Sequence, residues 1–354
     1  MDTLTHAFLG ALIGRITAPR RRSQSADTLP MRRRMLVGFV AAAFPDIDFV
    51  SSYLSPLSYL YYHRGVTHSL VLLPAWAALL ALVLAAVWRG KPRWTAYFGI
   101  AALAIGSHIA ADWITSFGTM LFAPFSDARY GIGTTFIIDL WFTGIILLAL
   151  LASLVWRGSR VVPAIGLTAL IGYVTFQFVL QQQAIDVGVA YARSNGIAPG
   201  RVSAVPRPVS PFNWTVFVRY EDSYRYAHIN LVRREARPQP TRDTGFVARL
   251  DAPYRPRTDA AWISADLYGS ATGASALARE AYTQPAFRFF RWFAAYPALL
   301  RIDAGNPELC VWFHDLRFVT PGRDGTPFRY GMCRENHRPW QSFQLVGMER
   351  WRVH

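Results

Sequence analysis

Residues 1–182 contain no glutamate and only seven aspartates, and the whole chain has a single lysine, Lys91. Cysteine is nearly absent too. Cys310 and Cys333 alone exclude a disulfide framework or a thiolate zinc knuckle and leave room for one disulfide. There is no Gly-x-Ser-x-Gly nucleophile elbow, no P-loop and no His-Glu-x-x-His, so three common signatures of hydrolases and nucleotide-binding proteins are missing. No internal repeat or low-complexity tract occurs. What is present is an uncommon pairing. A net charge of +15 over 354 residues coexists with 52% apolar residues and a mean hydropathy of +0.18. A disordered basic tail would be poor in apolar residues. A soluble nucleic-acid binder would not average a positive hydropathy, so no nucleic-acid partner is expected. Apolar membrane segments joined by basic loops satisfy both observations.

The length allows about two domains, and the chain changes character near residue 183. Four stretches, 66–88, 94–114, 135–156 and 161–180, are long enough to span a bilayer, which takes roughly 17–25 residues. Two shorter apolar stretches, 4–18 and 35–50, precede them as short helices. Segment 4–18 is not read as a secretory signal, because it starts with Asp2, lacks a basic n-region and contains His6. Residues 1–182 are therefore predicted to form a mainly α, polytopic membrane bundle of four long and two short apolar helices. Residues 183–354 are predicted to form a small soluble α+β domain with antiparallel strands. Its signals are a continuation of the last helix through 184–194, stopped by Asn195-Gly196 and Pro199-Gly200; a hairpin in 214–232 around Glu221-Asp222-Ser223; strands in 299–303, 309–319 and 326–334; and a helical stretch 274–294 broken at Pro285.

Threading the apolar segments as a zigzag sorts the loops onto two sides. The side of His6, side A, holds only Arg64 and Arg129. The other side holds Arg20–Arg22, Arg32–Arg34, Arg89, Lys91, Arg93, Arg157 and Arg160. Short loops rich in Lys and Arg stay in the cytoplasm, so side A and the C-terminal domain are predicted to be extracytoplasmic. All four histidines of this half (His6, His63, His68, His108) and six of its seven aspartates (all but Asp27) fall on side A. Histidine and carboxylate gathered at one rim of a bundle is the composition of a metal site.

His108 and Asp112, spaced i, i+4, share one face of an otherwise apolar helix; the alternative to ligation is a hydrogen bond that staples two helices. Asp46 and Asp48, in Pro45-Asp46-Ile47-Asp48, diverge on a helix and align on a strand, and Pro45 favours extended geometry at Phe44. His63 and His68, in His63-Arg64-Gly65-Val66-Thr67-His68, are too far round one helix to meet one ion, but Gly65 permits a turn between them. Arg64 could hold an anionic substrate or snorkel to lipid phosphates. His6, at the start of the chain, becomes a plausible ligand beside these clusters. The polar loop 116–130 could line the site. His314-Asp315 and His337 read as isolated strand and loop residues. Cys310 and Cys333 sit on neighbouring strand-like segments, where a disulfide suits an extracytoplasmic domain.

The segments MDTLTHAFLGALIG, FPDIDF, HRGVTHS, HIAADWITSFGT with LFAPFS, and IIDLWFT occur in that order over residues 1–145. In order they resemble the YdjM-type family of inner-membrane metal-dependent hydrolases, and PFNW, HDLRF and PFRYG resemble its tail region more weakly. More distantly, the order His, Asp, His, then His-x-x-x-Asp is similar to that of bacterial zinc-dependent phospholipase C. That resemblance implies His6, Asp46 or Asp48, His68 (or His63), His108 and Asp112 as ligands. The phospholipase pattern continues with further His and Glu ligands, whereas only Asp139 follows here, so one or two ions fit better than three.

The expectation is a membrane-bound, metal-dependent hydrolase of the bacterial inner membrane, using one or two divalent ions of the Zn²⁺ class and acting on a phosphoester or lipid at the interface. Asp46 or Asp48 would serve as general base or bridging ligand, and Arg64 would hold the substrate. The alternative is a non-enzymatic scaffold or regulatory protein with a structural His/Asp site. Ion transport is disfavoured, because side B has no comparable polar residues to complete a path.

Overall fold

A computed structural model describes residues 1–17, 29–88, 93–198, 201–241, 243–305, 307–323, 325–335 and 338–353. Arg20, Arg21, Arg22, Asp27, Arg89, Lys91, Pro199, Gly200 and His337 lie outside the described residues. The chain divides into two compact units, Met1–Ser51 with Tyr61–Phe178, and Ser52–Leu60 with Val179–His354.

In the first unit, α1 (Thr3–Ile16) is capped by Asp2, whose carboxylate accepts from the Thr5 N–H (3.0 Å) and the Thr5 hydroxyl (2.6 Å). α2 (Met31–Ala43) crosses α1 at two glycines. A Cβ on Gly10 would strike the Gly38 carbonyl, and one on Gly38 would strike the Gly10 carbonyl. Small residues allow membrane helices this close approach. The buried Arg15 of α1 donates to the carbonyls of Trp156 (3.4 Å), Arg157 (2.5 Å) and Ser159 (3.3 Å), satisfying acceptors just beyond the end of the helix Leu140–Val155.

α2 continues directly into a 3₁₀ helix, Phe44–Tyr53. Phe44 is helical, with φ −58° and ψ −43°, and not extended as Pro45 suggests. Pro45 has no N–H to donate back into the last turn of α2, and the Ala42 carbonyl there accepts from His108 Nδ1 instead (2.6 Å). α3 (Pro56–Tyr62), a 3₁₀ turn Val66–His68, α4 (Leu73–Val87), α5 (Thr95–Trp113), α6 (Leu140–Val155) and α7 (Val161–Ser194) follow.

Among the described residues, two helices are long and apolar enough to cross a membrane: Met31–Tyr53, with 23 residues, and Val161–Ser194, with 34. A third crossing results if the pair Leu57–His68 and Leu73–Val87, bent by 80°, is counted as one. The four long spans expected from hydropathy are not found as such. Segment 66–88 breaks after His68. Segment 135–156 gives its first residues to a loop and leaves the 16-residue α6, about 24 Å long against a hydrocarbon core of about 30 Å. Segment 94–114 becomes the 19-residue α5 but carries His108 and Asp112. The short segment 35–50 is instead part of the long helix Met31–Tyr53.

In the second unit, Leu180 and Ala184 of α7 pack with Trp214, Val216 and Ile229. The first sheet comprises β1 (Val202–Pro206), β2 (Asn213–Tyr220), β3 (Ser223–Asn230), β4 (Arg255–Pro256) and β5 (Trp262–Asp266), with α8 (Phe246–Asp251) between β3 and β4. Its β2–β3 hairpin pairs Tyr220 with Ser223 across the Glu221-Asp222 turn, as expected. Next come α9 (Thr272–Thr283) and α10 (Arg288–Phe293), separated by a 3₁₀ turn at Pro285. The second sheet is an antiparallel meander of β6 (Pro297–Ala304), β7 (Glu308–Asp315), β8 (Tyr330–Glu335), β9 (Gln341–Val346) and β10 (Glu349–Arg352). Cys310 and Cys333 are register partners on β7 and β8 and are joined by a disulfide.

Candidate metal centre

Three elements of the first unit bring the centre together. The 3₁₀ extension of α2 supplies Asp46 and Asp48; the turn before α4 supplies His68; α5 supplies His108 and Asp112. Single donor atoms of Asp46, His68, His108 and Asp112 all lie within 4.8 Å of one another, so this group could hold a metal ion. His68, His108 and Asp112 are fully buried, and Asp46 is partly exposed.

The hydrogen bonds fix which nitrogens face inward. His108 Nδ1–H donates to the Ala42 carbonyl (2.6 Å), leaving a lone pair on Nε2. His68 Nδ1 faces Asp48 Oδ2 (3.2 Å) and Thr67 Oγ1 (3.0 Å), which likewise points the Nε2 lone pair inward. The two Nε2 atoms are 2.9 Å apart. Two imidazole lone pairs at that distance repel unless a cation or proton lies between them. Asp112 Oδ2 is 3.2 Å from His68 Nε2 and 3.6 Å from His108 Nε2, while Asp46 Oδ1 is 3.7 Å from both. These separations bracket the edge of a tetrahedron of Zn-type ligands, about 3.3 Å. Asp46 Oδ2 and Asp112 Oδ2 are buried and accept no hydrogen bond among the described residues, a condition that costs free energy unless a cation relieves it. Imidazoles whose outer N–H is held by a carbonyl or a carboxylate match the supporting shell of metal-binding histidines. The residues fit a divalent cation.

The other sequence-predicted residues lie around these four atoms. His6 stacks on His108 with ring centroids 3.6 Å apart, and its Nε2–H donates to Asp112 Oδ1 (3.1 Å). His63 Nδ1–H donates to Asp48 Oδ1 (2.8 Å). Asp48 Oδ2 accepts from the Arg64 N–H (2.9 Å) and the Thr67 hydroxyl (3.0 Å). Thus His6, Asp48 and His63 fall outside the four-atom group. Asp46 and Asp48 diverge, as i, i+2 residues on a helical stretch must.

Arg64 is only 1% exposed and does not snorkel. It donates to Asp112 Oδ1 (2.9 Å) and to Thr115 Oγ1 (2.8 Å), and its guanidinium lies 5.0 Å from the Phe117 ring centre. The Met1 amine also pairs with Asp112 Oδ1. Asp139 stands apart: its carboxylate caps α6 through Trp141 and Phe142 N–H and accepts from the Tyr173 hydroxyl (2.8 Å).

Sequence reading placed Phe117 in a loop that could line the site but did not single out Thr67, Thr115 or the Ala42 carbonyl. A threonine flanked by histidines is visible in His63-Arg64-Gly65-Val66-Thr67-His68, but a backbone carbonyl carries no sequence signal. In the second unit, His314 belongs to β7 and burial lowers its pKa to about 4, while burial and the Arg207 guanidinium lower that of His228 to about 3. Both are neutral near pH 7. Asp315 pairs with Arg317 at 2.7 Å.

The model of the YdjM inner membrane protein family matches residues 1–184, which include every residue of this centre. The Uncharacterized protein YfhP of Bacillus subtilis (strain 168) is 26% identical over 189 residues, covering 51% of this chain and 55% of that protein. The chain therefore spans about half the length of this curated relative. No solved structure matches the chain.

Proposed function

The chain belongs to the YdjM inner membrane protein family, and from that premise we propose that it is a membrane-embedded, metal-dependent hydrolase of phosphoesters. The observation that carries this reading is the pair of inward-facing lone pairs of His68 and His108 beside Oδ2 of Asp46 and of Asp112, neither of which accepts a hydrogen bond among the described residues. These four residues would hold a divalent cation of the Zn²⁺ class. Such a cation supplies Lewis acidity, lowering the pKa of water toward 7 and polarising an ester oxygen.

The chain's own residues supply the rest. Asp46 is the least buried of the four, and among the described residues nothing donates a hydrogen bond to its Oδ2, so we assign it as the general base. Water adds to phosphorus and gives its proton to Asp46 Oδ2. The P–O bond to the alcohol breaks, and that proton passes to the leaving oxygen. Asp48 holds the His68 ring through Nδ1. Arg64 and His6 hold Asp112 through Oδ1, leaving Oδ2 to the centre. The geometry thus supports Arg64 as a positioning residue more than as a substrate clamp. Loop charge supports the extracytoplasmic placement of the centre and of the C-terminal domain.

One experiment addresses both chemistry and side. A membrane-impermeant, water-soluble aryl phosphodiester is added to right-side-out spheroplasts carrying the protein. Hydrolysis by intact cells, lowered at least about 100-fold in Asp46→Asn, is expected. Hydrolysis only after lysis would place the centre on the cytoplasmic side. No hydrolysis of this diester or of lipid phosphoesters before or after lysis, with metal bound, would overturn the enzymatic reading.

The full burial of His68, His108 and Asp112 favours a second reading, a structural site in a scaffold or regulatory protein. A site closed by four protein ligands has no place for water. Under that reading Asp46→Asn lowers stability, and the wild type shows no turnover.

A further inference from the structure

We infer that the groove between α1, α5, α6 and α7 seats one acyl chain of a membrane lipid, and that this lipid is the phosphoester substrate. The inference rests on the hydrolase reading and names its substrate class. The groove has a volume of about 270 Å³, near the lower end for ligand pockets, about 300 Å³. Leu9 of α1, Phe142 of α6, and Leu170, Ile171 and Val174 of α7 form its walls. The two hydroxyls on its lining are already committed to their own helices: Ser107 donates to the Ala104 carbonyl (2.8 Å) and Thr175 to the Ile171 carbonyl (2.9 Å). An occupant that needs hydrogen bonds would go unsatisfied there. A hydrocarbon chain needs none.

Two observations select a lipid as the source of that chain. First, one wall is α7, which is among the helices long and apolar enough to cross a membrane, and the lining residues Ala110, Ile171 and Thr175 are exposed. Hydrocarbon is what surrounds such a surface in a bilayer. Second, the wall contributed by α5 is interleaved with the centre. Ser107 and Ala111 line the groove, and the next residue after each, His108 and Asp112, carries a donor of the four-atom group. A chain held there lies beside the helical turns that carry the centre.

The test uses the full chain, purified in detergent with its metal and placed in vesicles containing a phospholipid with a photoactivatable acyl chain. Ala110→Trp and Thr175→Trp fill the groove from exposed positions. Wild-type protein is expected to crosslink on groove residues. Each variant is expected to crosslink at least about tenfold less and to lose hydrolysis of long-chain lipid, while keeping its metal and its hydrolysis of the soluble diester. Crosslinking unchanged in both variants, or joining two copies of the chain in place of lipid, would overturn the inference. Absence of all hydrolysis with crosslinking intact would count against the hydrolase reading and leave the acyl-chain site standing.

Discussion

Asp112→Asn is expected to abolish metal binding and to cost about 3–5 kcal/mol of stability, the range for breaking a buried charge pair. Five charged or ligating groups converge on this carboxylate. Arg64, His6 and the Met1 amine face Oδ1, and His68 and His108 face Oδ2. The amide keeps the shape but removes the charge, and Arg64 is then left buried without its counter-ion. The double variant Asp112→Asn/Arg64→Met removes the carboxylate together with its guanidinium partner and leaves the Met1 amine. It should recover at least half of the lost stability while recovering no metal, because removing a whole buried pair is far less costly than removing one member. Thermal unfolding in detergent, alongside metal content, reads both effects. Equal unfolding of the single and double variants would show that Arg64 does not depend on Asp112 for its charge balance.

The second large effect comes from a residue that touches no ligand. Gly38→Val is expected to destabilise the chain by about 1–3 kcal/mol or more, as overpacking does, and to weaken metal binding at least about tenfold. A Cβ on Gly38 would strike the Gly10 carbonyl, so α1 and α2 must separate. α1 carries His6, and α2 delivers the Ala42 carbonyl to His108 and leads into Asp46. Separating the two helices therefore loosens the support of the centre from two directions. Gly99 of α5 has open space around it, so Gly99→Ala serves as the control. It is expected to leave metal binding unchanged and to stabilise the helix by up to about 1 kcal/mol. Tight metal binding in Gly38→Val would mean that the close crossing does not position the centre.

The centre was more legible in the sequence than the helices that carry it. Histidine and aspartate are few in residues 1–182, so their gathering on one side stands out against an apolar background, and the i, i+4 spacing of His108 and Asp112 requires a shared helical face. Spacing alone did not separate the four central donors from their supports. Asp46 and Asp48 look equivalent in Pro45-Asp46-Ile47-Asp48. Only the helical continuation through Pro45 turns Asp46 inward and sets Asp48 against His63 and His68. Arg64 reads as a loop cation and is instead buried beneath Asp112, because its backbone adopts the left-handed region (φ +58°) at the turn before Gly65.

Helix ends were less legible. Hydropathy does not register that the backbone turns after His68, or that Asp139 starts α6 by capping its first N–H groups. In the second unit, alternation and turn residues marked the β2–β3 hairpin and the Pro285 break. The edge strand β10, exposed along its whole length, and β9 beside it, whose burial does not alternate, escaped notice.

The most direct test of the central claim, that Asp46, His68, His108 and Asp112 hold a divalent cation, is elemental mass spectrometry of the detergent-purified protein beside His68→Ala/His108→Ala. The account predicts about one or two ions per wild-type chain and none in the variant, with the variant's disulfide and β-domain signature intact. Wild-type protein that carries no metal after purification under metal-replete conditions, or a folded double variant that keeps its full complement, would contradict it.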